Sequence, residues 1–114
     1  MFEFFFRIQG GTTEILPATI TRNDQIYNLS GVEVSFTALS SLGTITKDRD
    51  GGIAVTNETG EIEIEILPAD TDNFVKTEDM LCEIKLIDGE DIFIAGRGML
   101  RVIPLSTAIE EAGS

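Results

Sequence analysis

Carboxylates are the residues in this chain whose number and spacing could do chemistry. Glu61, Glu63 and Glu65 recur at alternate positions; Asp70, Asp72 and Asn73 crowd one short segment, with Glu78 and Asp79 close behind; Asp48-Arg49-Asp50-Gly51 has the opening of a calcium loop. Paired carboxylates hydrolyse glycosides when they face each other across a cleft and one is desolvated. Clustered oxygen donors on a flexible loop hold calcium. Each group also has a plainer reading. Alternate positions of a strand share a face, so the three glutamates line one open sheet surface, where like charges discourage edge-to-edge association. A calcium loop closes on a bidentate acid, and Thr59 stands at that position after Asp48. The Asp70 segment reads as a turn whose side chains cap backbone N–H groups; weak calcium binding through Asp70 and Asp72 is the alternative.

Other catalytic groups are scarce. The chain has no histidine, which removes the usual general base and the commonest metal ligand. Its one cysteine, Cys82, lies inside an apolar strand and has no base to activate it. Gly96-Arg97-Gly98 is followed by no helix and so is no phosphate loop. Asn28-Leu29-Ser30 and Asn57-Glu58-Thr59 match the glycosylation triplet, which matters only in a secreted protein. The sequence therefore predicts no catalytic residue, no metal site and no cofactor.

The totals restrict the class further. A chain of 114 residues is one domain with room for a real core. Its net charge of −12 repels phosphate backbones and anionic membranes, so neither nucleic acid nor a membrane is an expected partner. No apolar run is long enough to span a bilayer as a helix. Met1 to Arg7 has no basic leader or cleavage pattern and reads as a strand, not a signal peptide.

Strands must position whatever the protein uses. Ile62, Ile64 and Ile66 alternate with the three glutamates, and Pro68 ends that strand because it cannot donate to a ladder. Met80, Cys82, Ile84 and Leu86 form a second alternating strand, and the others are expected to gather around these two. Asp70 to Asn73 between them suits a turn or one helical turn, with Phe74 dropping onto the core. Phe2, Phe4, Phe6 and Ile8 share a parity from which Phe5 departs; a neighbouring loop shields it, or it meets another subunit. Pro17 marks the strand Glu14 to Thr21 as an edge or a bulge. Arg22 to Gln25 is a turn, Val32 to Ala38 alternates cleanly, and Leu42 to Thr46 is a short strand. Lys47 to Gly52 is an exposed tip, and Ile53 to Val55 a brief edge strand. Asp88-Gly89 predicts a hairpin, and the two glycines around Arg97 a bulge or close backbone approach in the last strand. This pattern predicts an all-β, antiparallel immunoglobulin-like sandwich of seven to nine short strands over residues 1–104, with an acidic tail over 105–114.

The segments Leu16-Pro-Ala-Thr-Ile20, Asn28-Leu-Ser-Gly31-Val, Gly60-Glu-Ile62-Glu-Ile64, Leu67-Pro-Ala-Asp70-Thr71, Cys82-Glu-Ile84-Lys-Leu86 and Gly98-Met-Leu100-Arg-Val102-Ile-Pro104 occur in that order. Together they resemble the immunoglobulin-like domains of tailed-bacteriophage virion proteins, such as the N-terminal domains of the baseplate upper protein family and related small tail or fibre-associated proteins. The resemblance implies a non-enzymatic virion part, made in the host cytoplasm and present in several symmetric copies. Its partners would be other virion proteins and further copies of itself. The residues expected to carry those contacts are Phe5, Arg7, Arg97, Leu105 and Ile109. A small carbohydrate- or ligand-binding sandwich, assisted by calcium, is the competing expectation.

Overall fold

The structure, a computed structural model, describes residues 2–104. Ten strands build it: β1 (Phe2–Gln9), β2 (Glu14–Thr19), β3 (Thr21–Arg22), β4 (Gln25–Ile26), β5 (Glu33–Ser40), β6 (Gly43–Asp48), β7 (Ile53–Thr56), β8 (Glu61–Ile66), β9 (Glu78–Asp88) and β10 (Asp91–Ile103). A 3-10 turn (Asn57–Thr59) precedes β8, and a single helical turn, α1 (Pro68–Thr71), follows it. No helix among the described residues is long and apolar enough to cross a membrane.

The strands form a five-stranded sheet in the order β1-β10-β9-β5-β6 and a three-stranded sheet in the order β2-β8-β7. β3 and β4 make a separate hairpin. This is the two-layer order of an immunoglobulin-like sandwich. Period-two burial explains the layers. Ile62, Ile64 and Ile66 of β8 and Met80, Cys82, Ile84 and Leu86 of β9 are buried while their neighbours are exposed. The two strands do not pair. They lie in opposite sheets and face each other across the core, because the α1 corner carries the chain from one layer to the other.

Several features differ from the sequence expectation. Ten strands form where seven to nine were expected, since the Arg22 to Gln25 turn closes a tiny hairpin of its own. Asn23 and Asp24 there have φ of 55° and 63°, the pattern of a type I′ turn that side-chain amides and carboxylates tolerate. β1 runs parallel to β10, so the large sheet is mixed instead of wholly antiparallel. The first strand reaches the far end of the large sheet, and Gly10-Gly11 then turns the chain toward the small one.

The segment Lys47 to Gly52 is not a freely exposed tip. Lys47 is buried at the end of β6, and its ammonium meets Asp70 of α1 at 2.7 Å. Arg49 donates to the carbonyls of Leu29 and Val32 at 2.7 and 3.0 Å and to Asn57 Oδ1 at 2.8 Å. Both cations thus tie separate segments together. Other expectations hold: β2, with Pro17, and β7 are edge strands, Phe74 is buried, and Gly89 supplies positive φ in the β9–β10 turn.

Candidate interaction surface

The register of the large sheet decides which side chains share its outward face. In β9 the outward residues are Asp79, Leu81, Glu83 and Lys85, opposite in parity to the buried ones. A bulge at Ala95, between Ile94 and Gly96, sets the parity of β10 beyond it. Gly96 and Gly98 then point inward, and Arg97, Met99 and Arg101 point outward.

The inward glycines are required by β1. A Cβ on Gly96 would stand 2.7 Å from the Phe2 ring, and one on Gly98 would stand 2.0 Å from the carbonyl oxygen of Phe4. Their lack of side chains lets Phe2, Phe4 and Phe6 lie over β10, with ring centroids 5.8 and 5.3 Å apart along the row. The same parity sends Glu3, Phe5 and Arg7 outward.

Three cross-strand rows result. The middle row is apolar: Leu39 of β5 opposes Leu81 of β9, Leu81 opposes Met99 of β10, and Met99 opposes Phe5 of β1. Leu39, Leu81 and Phe5 are 52, 66 and 54% exposed, so among the described residues no loop shields Phe5. Above it, Thr37, Glu83, Arg97 and Glu3 align, with Arg97 Nε 3.6 Å from Glu83. Below it, Asp79, Arg101 and Arg7 align. Arg101 donates twice to Asp79, at 2.8 and 3.1 Å, and its guanidinium lies 5.4 Å from the Phe5 ring centroid. The hydrogen bond from Arg101 holds the Asp79 carboxyl below its ordinary range and raises the guanidinium in turn.

Of the residues picked out from the sequence, Phe5, Arg7 and Arg97 come together on this face, whereas Leu105 and Ile109 lie outside the described residues. Leu39, Leu81, Met99, Asp79, Glu83 and Arg101 were missed as members of the same face. Their signal was parity. Leu81 sits among the polar positions of a strand whose other face is fully apolar.

The carboxylates that could have done chemistry are placed otherwise. Glu61, Glu63 and Glu65 project from the open outer face of the small sheet, where Glu63 lies between Pro17 and Ala54. Asp70 is engaged: besides Lys47, its carboxylate accepts the Leu67 N–H at 2.7 Å, capping the start of α1. Thr71 Oγ1 accepts the Gly11 N–H at 2.9 Å, fixing α1 to the β1–β2 turn. Among the described residues, no group of three or more acidic or cysteine side chains converges as a metal site would require. Cys82 is buried, and desolvation pushes its thiol up to about 12.

No family model matches the chain, and no curated protein sequence matches it. Solved structures do. The chain is similar to the N-terminal domain of phage TP901-1 ORF48, with a TM-score of 0.52 and 12% identity, over 91% of this chain and 98% of that one. It is also similar to part of a candidate glycoside hydrolase from Bacteroides vulgatus, with a TM-score of 0.52 and 13% identity, over 87% of this chain and 16% of that one. At these identities the likeness establishes a shared sandwich fold, and that fold is shared with a phage domain, as the sequence resemblance implied.

Proposed function

We propose that the chain is a non-enzymatic structural part of a tailed-bacteriophage particle, working through protein–protein contacts and present in several symmetric copies. The observation that carries this reading is the match to the phage domain, which spans nearly all of both chains. It agrees with the ordered family segments from Leu16 to Pro104. The chemistry of the chain points the same way. Histidine is absent, the thiol is held neutral in the core, and the glutamate trio stands on an open sheet face instead of across a cleft. A tail, baseplate, fibre-adaptor or head-decoration position would each use such a module.

Particles purified through a density gradient from a lysate of the phage that encodes the chain, and analysed by quantitative mass spectrometry, test the proposal. The chain is expected in a fixed ratio to the other particle proteins. Recovery only in the soluble fraction would contradict it.

A further inference from the structure

We infer that two copies of this chain pair face to face through the outward surface of the large sheet, about a two-fold axis that runs along the strands between β9 and β10. The inference deepens the virion reading, and it rests on that reading for its biological setting only.

Charge is the first consideration. A chain at −12 repels its own copies. The three rows described above are the exception, because Glu3, Asp79 and Glu83 are balanced there by Arg7, Arg97 and Arg101. Three of the eight cations of the chain are thus collected in these rows. The outer face of the small sheet has Glu61, Glu63 and Glu65 and no cation among its paired residues, so it opposes a copy of itself.

The order of charges then selects the symmetry. A face-to-face dimer needs its two-fold axis in the plane between the sheets. With that axis along the strands, each row faces itself in reverse order. Arg97 then meets Glu83 of the second copy, Arg101 meets Asp79, Met99 meets Leu81 and Phe5 meets Leu39. Every charge that β9 and β10 contribute to the three rows finds its opposite, and the apolar row closes on itself. With the axis across the strands, Glu83 meets Asp79 and Arg97 meets Arg101. Only Glu3 against Arg7 would then be favourable. Like charges placed opposite each other at an interface are strongly disfavoured, so the pattern admits the first arrangement and rejects the second. Aligned packing of two sheets is also an ordinary way for such surfaces to meet.

Complementary charge reversal tests this. Arg97→Glu and Glu83→Arg, each alone, place like charges across the axis and are expected to weaken self-association by about tenfold or more. Mixed in equal amounts, the two variants restore both contacts, so a heterodimer is expected by native mass spectrometry and sedimentation. Leu81→Glu is expected to remain monomeric, with an unchanged circular dichroism spectrum. A wild-type chain whose mass stays monomeric across the concentration series would overturn the pairing. So would single variants that associate as well as wild type, or a mixture that forms no heterodimer. A monomeric chain that is nonetheless found in particles sinks the pairing and leaves the virion reading intact; a paired chain absent from particles does the reverse.

Discussion

The two outer faces of the sandwich come from the same alternation of residues and have opposite character. On the small sheet, Glu61, Glu63 and Glu65 alternate with buried isoleucines, and β2 and β7 on either side contribute Ile15, Pro17, Thr19, Ala54 and Thr56. That face is acidic and uncompensated, a surface that water and repulsion keep clear. On the large sheet the outward positions include an apolar row between two charged rows whose charges cancel when taken together. Both faces follow the period of two, so burial alone does not separate them. Cross-strand register does, because it decides whether an exposed leucine stands alone or in line with three others.

The difference can be broken most severely at Gly98. Its replacement by alanine drives a methyl group into the Phe4 carbonyl, which is backbone and cannot turn aside. We expect Gly98→Ala to cost about 3 kcal/mol or more in chemical denaturation. It should also lift β1, and with it Phe5 and Arg7, off the large-sheet face. Lys47→Met comes next. It removes the cation that joins β6 to α1 and leaves Asp70 with only its backbone donor, at an expected cost of about 1–3 kcal/mol, between the ranges for buried and surface pairs. Arg49→Ala, which removes a charged donor from the Leu29 and Val32 carbonyls and from Asn57, should cost about 2 kcal/mol by the same measurement.

The smaller effects sharpen the contrast. Glu63→Lys on the acidic face should change stability by no more than about 0.5 kcal/mol. Asp79 gives a pH signature. Its carboxyl is held low by Arg101, so the stabilisation from this pair is complete above the ordinary carboxylate range and is lost as pH falls through the folded-state value. Wild type and Asp79→Asn should therefore differ most in denaturation midpoint at neutral pH and converge in strong acid. Calcium should leave the melting temperature unchanged, since Asp70 is already taken by Lys47 and the Leu67 N–H; a calcium-dependent rise would revive the ligand-binding alternative.

Much of the fold was legible because each strand carries its own alternation, and prolines and glycines mark the breaks. Pro17 at an edge, Pro68 at the start of α1, Gly89 in the hairpin and the Gly96–Gly98 approach all act where their chemistry requires. Pairing was less legible. Nothing local in Phe2–Gln9 says that it lies parallel to a strand some ninety positions away, and β8 and β9 look alike although they belong to opposite sheets. Lys47 and Arg49 read as a solvated tip because their partners, Asp70 and the Leu29 and Val32 carbonyls, are distant in sequence. The outer face of the large sheet was not legible for the same reason. Phe5 stood out by its parity, but Leu39, Leu81 and Met99 become a row only once the register of four strands is known.

The mass of the purified protein by light scattering, over one concentration series with wild type, Glu63→Lys and Leu81→Glu side by side, tests the contrast between the faces most directly. Wild type and Glu63→Lys should both rise from monomer to dimer, and Leu81→Glu should stay at the monomer mass. A wild-type mass that does not change with concentration, or a dimer that Glu63→Lys disrupts and Leu81→Glu does not, would contradict the assignment.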